Sequence, residues 1–290
     1  MTATAPLIVP GLRALAPDYA AVLCDVWGVL HNGVKAFENA HKALTQYRAE
    51  TNGTVVLITN APRPAHLIKE QLARFGVPNT AYDDVVTSGD VTRELLSSHA
   101  GNPILHIGPE RDFPIYDDMD IVIGTEENAQ VISCTGLFDD ETETPDDYRS
   151  RFEDLVARGL EMICANPDIV VERGDRLIWC AGALARLYED IGGRVTILGK
   201  PHKPIYDAAI RKVAEIRGTD ISRDGILAIG DGLPTDIRGA VSQDLDVLFI
   251  TAGIHSADFG AVDSPEEQLI RARLVEEGLK ARAAVPRLVW

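Results

Sequence analysis

Along this chain, short runs of uninterrupted apolar residues repeatedly end on polar or charged ones. Ala21-Val22-Leu23-Cys24 runs into Asp25, Thr54-Val55-Val56-Leu57-Ile58 into Thr59-Asn60, Val195-Thr196-Ile197-Leu198 into Gly199-Lys200, and Ile226-Leu227-Ala228-Ile229 into Gly230-Asp231. Val247-Leu248-Phe249-Ile250 makes a further run, ending at Thr251-Ala252-Gly253. Apolar runs without alternation read as parallel strands buried on both faces. Between them, helices are expected over about Phe37–Tyr47, Ala65–Phe75 and Pro204–Arg217, with a charged helix around Pro265–Arg282. Strands alternating with helices predict an α/β fold, and in open α/β sheets ligands bind at the carboxyl ends of the strands. The polar tips are therefore the candidate site. Asn32-Gly33 signals a tight hairpin just after Asp25.

From Gly101 to Gly193 the rhythm changes. Ile104–Ile107, Ile121–Ile123, Val131–Cys134 and Met162–Cys164 read as short strands, and Phe138–Pro145 as an acidic, solvated loop. Thr144 is the expected N-cap, with Pro145 at the first position, of a helix that buries Tyr148, Phe152 and Leu155 and stops at Gly159. A second helix is expected near Ile178–Asp190. Upstream, a short Asp84–Val86 strand leads into a helix opened by Thr87 or Ser88, and a helical preface is expected over Pro6–Asp18. Because the polar-tipped strands resume only later, residues 87–193 are expected to form an inserted second domain. The core is then discontinuous, made of 1–86 and 194–290.

Composition narrows the possibilities. Hydrophobic content of 46% with 25% charged residues belongs to an ordinary soluble globule, and a net charge of -16 opposes binding to nucleic acid. No apolar run approaches ~18 residues and the start lacks a signal-peptide pattern, so a cytoplasmic, non-membrane protein is expected. Cys24, Cys134, Cys164 and Cys180 show no CxxC spacing and read as small buried apolar residues, with a redox-active thiol as the alternative.

Together the tips offer three carboxylates (Asp25, Asp231, Asp236), the Lys200 ammonium and the Thr59 hydroxyl. Hard oxygens hold Mg2+, while lysine and hydroxyl groups take phosphate oxygens. In its ordered motifs Asp25-x-Trp27-Gly28-x-Leu30, Thr59-Asn60, Gly199-Lys200-Pro201 and Gly230-Asp231-x-x-x-Thr235-Asp236, the chain resembles the haloacid dehalogenase (HAD) superfamily of aspartate-nucleophile phosphotransferases. With Ala165-Asn166-Pro167-Asp168 added, it is similar to the class IIA branch of sugar-phosphate and nucleotide phosphatases, over nearly its whole length.

That resemblance implies a Rossmann-like parallel-sheet core with an inserted α/β cap. It also implies a Mg2+-dependent phosphohydrolase that cleaves a small phosphate monoester, a sugar phosphate or nucleotide monophosphate, through an aspartyl-phosphate. Asp25 would attack phosphorus, Thr59 and Asn60 would hold the phosphoryl oxygens, and Lys200 would neutralise them and orient Asp25. Asp25, the Trp27 backbone carbonyl and Asp231 would bind Mg2+, with Asp236 holding a metal-bound water. The Asn166–Asp168 loop would face the substrate.

One position departs from the family pattern. Phosphatases of the family carry a second aspartate, the general acid and base, where this chain has Trp27, and an indole cannot shuttle a proton. His31 and Asp168 are the candidate replacements. Dehalogenases also have an aromatic residue there but dispense with the metal, whereas Asp231 and Asp236 keep the metal pattern, which favours phosphoryl chemistry. The alternatives are a phosphotransferase, a hydrolase restricted to good leaving groups, or a non-catalytic phosphosugar-binding protein. Each residue also has a plainer reading: Asp236 as a helix cap, His31 as a turn residue, Asn166–Asp168 as a proline turn, Lys200 as a surface residue and Trp27 as packing. Self-association into a homo-oligomer is left open by the sequence.

Overall fold

Strands that lack alternation must be covered on both faces, and here they are. A computed structural model describes residues 7–174 and 176–290. Among the described residues, six strands form one sheet in the order Ala283–Val285, Asp246–Ile250, Ile226–Gly230, Ala21–Asp25, Thr54–Thr59 and Asp84–Thr87. Every residue of the Ala21–Asp25, Thr54–Thr59 and Ile226–Gly230 strands is buried. Ala21–Asp25 runs parallel to both neighbours, with Cys24 opposite Ile229 and Leu57. Asp25 is therefore level with Gly230, one residue short of Asp231. The register delivers both carboxylates to the same edge of the sheet, where an α/β sheet presents its ligands.

By compactness the chain divides into two units, Met1–Ile58, Lys69–Val86 and Tyr206–Trp290 in the first, and Thr59–Ile68 and Thr87–Ile205 in the second. Segments 59–68 and 194–205, expected in the flanking core, fall in the second unit. Its own sheet runs Arg194–Ile197, Glu161–Cys164, Val131–Cys134, Pro103–Ile107, Val122–Ile123, with parallel pairing throughout. The strand expected at Val195–Leu198 thus forms as Arg194–Ile197 but pairs with Glu161–Cys164, its Val195 and Ile197 packing on a core built around Phe152, Met162 and Tyr188.

Helix boundaries follow local chemistry. Thr87 caps the Ser88–Leu96 helix by accepting from the Asp90 N–H at 2.9 Å. Thr144 is the N-cap as expected, its N–H and hydroxyl donating to Asp147 Oδ2 at 2.7 and 2.9 Å, but the first turn, Pro145–Tyr148, is 3₁₀ before the α-helix Arg149–Ala157. The helix expected from Ile178 begins only at Ala181. Ile178 and Trp179 instead pair with Val171 and Val170 in an antiparallel hairpin, Val170–Arg173 with Arg176–Trp179. The charged tail helix is shorter than expected, Glu267–Glu276, because Gly278 turns left-handed at φ 65 and the chain then adds the Ala283–Val285 edge strand. The preface forms two 3₁₀ turns, Leu12–Ala14 and Ala16–Asp18, while Pro6 lies outside the described residues.

The acidic stretch is not simply solvated. Asp140 is ion-paired to Arg111 and Arg173, and Glu141 to Arg173 and Arg176, so the loop braces the hairpin. The four cysteines are free and buried, and burial pushes the Cys164 thiol up to about 12 and raises Cys134 well above its ordinary value. Negligible thiolate at neutral pH favours the packing role over the redox one. No helix among the described residues is long and apolar enough to cross a membrane.

Candidate active site

The first unit gathers three carboxylates. Asp25 ends its strand, Asp231 follows Ile226–Gly230 directly, and Asp236 lies in the turn Leu233–Ile237. Each brings an oxygen within 4.8 Å of the other two, and all three are buried. Backbone donors fix two of them: Asp231 Oδ2 accepts the Ile254 N–H at 2.9 Å, and Asp236 Oδ2 accepts the Gly232 N–H at 3.0 Å. Asp236 does not cap the helix that follows, Arg238–Ser242, whose N-cap position is Ile237; its carboxylate reaches back one turn to the Gly232 N–H instead.

Glycines make this proximity feasible. A Cβ at Gly253 would stand 1.9 Å from Asp231 Oδ2, and one at Gly28, where φ is +84, would stand 2.4 Å from the same atom. On the far side, a Cβ at Gly230 would be 2.3 Å from the Asp236 Cβ. Glycine backbone thus closes on Asp231 and Asp236 where a Cβ would collide with them.

The loop after Asp25 is held by its own hydrogen bonds. Gly28 N–H donates to the His31 carbonyl at 2.8 Å and Leu30 N–H to that of Val26 at 2.8 Å. Asn32 Oδ1 accepts from Val34 and Lys35 at 3.2 and 3.0 Å, and His31 pairs antiparallel with Ala36, so the Asn-Gly turn forms with a wider span than a two-residue hairpin. His31 is buried, its ring edge-on to Trp27 and Phe75 at centroid distances of 5.0 and 4.9 Å. Its Nδ1 accepts the Gly33 N–H at 3.0 Å, which assigns the proton of the neutral ring to Nε2. Trp27 is half-buried, and its six-membered ring lies 2.5 Å from where a Gly33 Cβ would be.

The second unit holds Thr59, Asn60, Lys200, Asn166 and Asp168. Thr59, Asn60 and Lys200 are all buried, the last only 3% exposed. Lys200 is therefore no surface residue. The Asn60 carboxamide donates to Asp168 Oδ1 at 2.8 Å and to the Lys200 carbonyl at 3.2 Å, and accepts the Lys200 N–H at 2.7 Å. Asn166 Oδ1 accepts the Asp168 N–H at 3.2 Å, making the Asn-Pro-Asp segment an Asx turn. The sequence motifs named these residues; the direction of Asn60's bonds was not legible in them. Gly253, Ile254 and Gly232 were missed as carboxylate supports, although Gly253 does end an apolar strand run.

The carboxylate cluster fits a divalent cation. Three buried carboxylates at this spacing repel one another when charged, and a cation among them reverses the sign of that interaction. The donor set is all hard oxygen, which suits Mg2+ or Ca2+ over thiophilic metals.

Comparison with known proteins agrees with this arrangement. The haloacid dehalogenase-like hydrolase family profile matches residues 22–122, and a HAD-hydrolase-like profile matches residues 197–276. A crystal structure of a haloacid dehalogenase-like hydrolase from Brucella suis is 48% identical, covering 97% of this chain and 100% of that one, with a TM-score of 0.87. The D-glycerol 3-phosphate phosphatase of Mycobacterium tuberculosis is 25% identical over 262 residues, 85% of this chain and 67% of its own length. The ribonucleotide monophosphatase NagD of Escherichia coli is 24% identical over 241 residues, 82% of this chain and 89% of its own.

Proposed function

Because this chain belongs to the haloacid dehalogenase-like hydrolase family, as a phosphate-monoester hydrolase of its class IIA branch, we propose that Asp25 is the nucleophile and Mg2+ the metal. The observation that carries the proposal is the cluster of Asp25, Asp231 and Asp236, with Asp25 at the carboxyl end of a central strand. The named activities of the two curated relatives, on glycerol 3-phosphate and on ribonucleotide monophosphates, support a small organic phosphate as substrate.

A carboxylate oxygen of Asp25 attacks phosphorus, the bond from phosphorus to the ester oxygen breaks, and the leaving oxygen takes up a proton. Water then attacks phosphorus of the aspartyl-phosphate, and the carboxylate and inorganic phosphate are released. Thr59 and Lys200 hold the phosphoryl oxygens, and Lys200 offsets their charge. Asp25, Asp231 and the Trp27 carbonyl would hold the metal, with Asp236 beside them; when bound, the metal would supply Lewis-acid stabilisation of the transferring group. Residues 87–193 serve as the cap that selects the organic part of the ester. A reducing, cytoplasmic setting suits four free thiols.

Trp27 sets the reaction's preference. The indole N–H is a donor only and cannot cycle a proton. The missing acid is worth roughly 10²- to 10⁴-fold where the leaving group is an alkoxide and little where it is a phenolate. An aryl phosphate is therefore expected to turn over at least ~10²-fold faster than an alkyl phosphate of similar size, measured as phosphate release with Mg2+ over a substrate panel. Equal rates would mean that another group, His31 or Asp168, performs the proton transfer. His31→Ala and Asp168→Asn separate those two, since only the acting one lowers the alkyl rate selectively.

A further inference from the structure

We propose that Asn60 is a positioning residue that fastens the Lys200 backbone and the Asp168 carboxylate to each other, rather than a ligand of the phosphoryl group. Its catalytic consequence rests on the function proposed above; the clamp itself does not.

An asparagine side chain has two N–H donors and one carbonyl oxygen. At Asn60, 2% exposed, both donors are engaged, one by Asp168 Oδ1 at 2.8 Å and one by the Lys200 carbonyl at 3.2 Å. The carbonyl oxygen accepts the Lys200 N–H at 2.7 Å. What remains on this side chain is acceptor capacity, which repels phosphoryl oxygens. The orientation of the amide follows from the same contacts. Turning it over would set NH₂ against the Lys200 N–H, and oxygen against both the Asp168 carboxylate and the Lys200 carbonyl, three mismatches at once.

The surroundings are shaped for this clamp. A Cβ at Gly199 would lie 2.7 Å from Asn60 Oδ1, from Pro167 Cγ and from Ser88 Oγ, so glycine at this position permits the close approach of the Lys200 segment. Asp168 is held on its own backbone too, its N–H donating to Asn166 Oδ1 at 3.2 Å and its carbonyl accepting the Gly182 N–H at 3.0 Å. One carboxamide thus ties a residue from the end of the Thr54–Thr59 strand to the Lys200 backbone and to the Asn166–Asp168 turn. Aspartate at 60 keeps the shape and the bond to the Lys200 N–H, but puts oxygen against oxygen at the other two contacts. Exchanging the two residues restores one donor and one acceptor at the 2.8 Å contact and leaves only the contact with the Lys200 carbonyl broken.

The test is a double-mutant cycle of Asn60→Asp, Asp168→Asn and the exchanged pair, read in two ways. Thermal unfolding of the metal-free protein reads the clamp without reference to activity. Asn60→Asp is expected to lower Tm by several degrees, and the exchanged pair to regain at least about half of that loss. Hydrolysis of 4-nitrophenyl phosphate with Mg2+ reads the consequence. Asn60→Asp is expected to lower kcat about ten- to a hundredfold, through the displaced Lys200, with KM changed less, and the exchanged pair to recover part of kcat. If Asn60→Asp alone does not fold, folding of the exchanged pair supports the clamp, and failure of both overturns it. Strictly additive Tm losses overturn it as well, as does an Asn60→Asp protein with unchanged Tm and kcat but raised KM, the pattern of a direct ligand. A parent protein that hydrolyses no ester sinks the proposed function and leaves the Tm cycle to decide the clamp.

Discussion

Asp25→Asn is expected to lower phosphate release at least ~10³-fold with the fold intact. An amide in the same place keeps the volume at the tip of a fully buried strand and leaves the Ala21–Asp25 pairings untouched, since they run through backbone. It removes the oxygen that attacks phosphorus, and deleting a covalent nucleophile is among the costliest single changes an active site can suffer. The change also removes one of three carboxylates lying within 4.8 Å of one another, and so relieves repulsion in the metal-free protein. Its Tm without metal should therefore equal or exceed the parent's, while the rise in Tm on adding Mg2+ shrinks. Loss of activity with a lowered metal-free Tm would point instead to a structural role for Asp25.

Gly253→Ala is expected to disable the metal cluster without touching a ligand. The added methyl would stand 1.9 Å from Asp231 Oδ2 and 2.4 Å from Asp231 Cβ, far inside contact distance, so the carboxylate must move. In moving it gives up the Ile254 N–H bond. The backbone at Gly253 lies outside the left-handed region, so alanine meets a steric obstacle and not a conformational one. Overpacking of this kind costs about 1–3 kcal/mol of stability. The larger loss falls on the metal. Saturation at about a hundredfold excess over Kd contributes ~2.7 kcal/mol to the parent, and Gly253→Ala should show little Mg2+-dependent rise in Tm and at least ~10²-fold lower activity. Gly136→Ala is the control, because its methyl meets Pro109 Cδ at an ordinary 3.6 Å. Equal metal-induced shifts in both variants would remove Asp231 from the metal site.

What the sequence made legible follows from burial. A strand covered on both faces has no reason to carry a charge except at its end, so Asp25 and Asp231 stood out wherever an apolar run stopped. The Thr87 and Thr144 caps were legible because a cap is a local bond, made within four residues. Contacts that depend on distant partners were not. The Asp140 carboxylate finds its counter-charges on Arg111 and Arg173, 29 and 33 positions away, so its stretch read as solvated. The Val170–Arg173 and Arg176–Trp179 hairpin was hidden because Leu177 and Trp179 are largely exposed, which blurs the alternation that marks a half-buried strand. The Ala283–Val285 edge strand is three residues long and follows a charged helix, too short to announce itself. At Asn60 the motif supplied the residue but not the direction of its hydrogen bonds, which only the Lys200 backbone and Asp168 decide.

Asp25 is expected to form a covalent bond to phosphorus during turnover. The direct measurement is acid quenching of the Mg2+-loaded protein within milliseconds of mixing with a phosphate-labelled aryl phosphate, followed by peptide mapping. Label on the peptide carrying Asp25, absent from Asp25→Asn, is the predicted result. Rapid turnover with no label on that peptide, or with label on another residue, would contradict it.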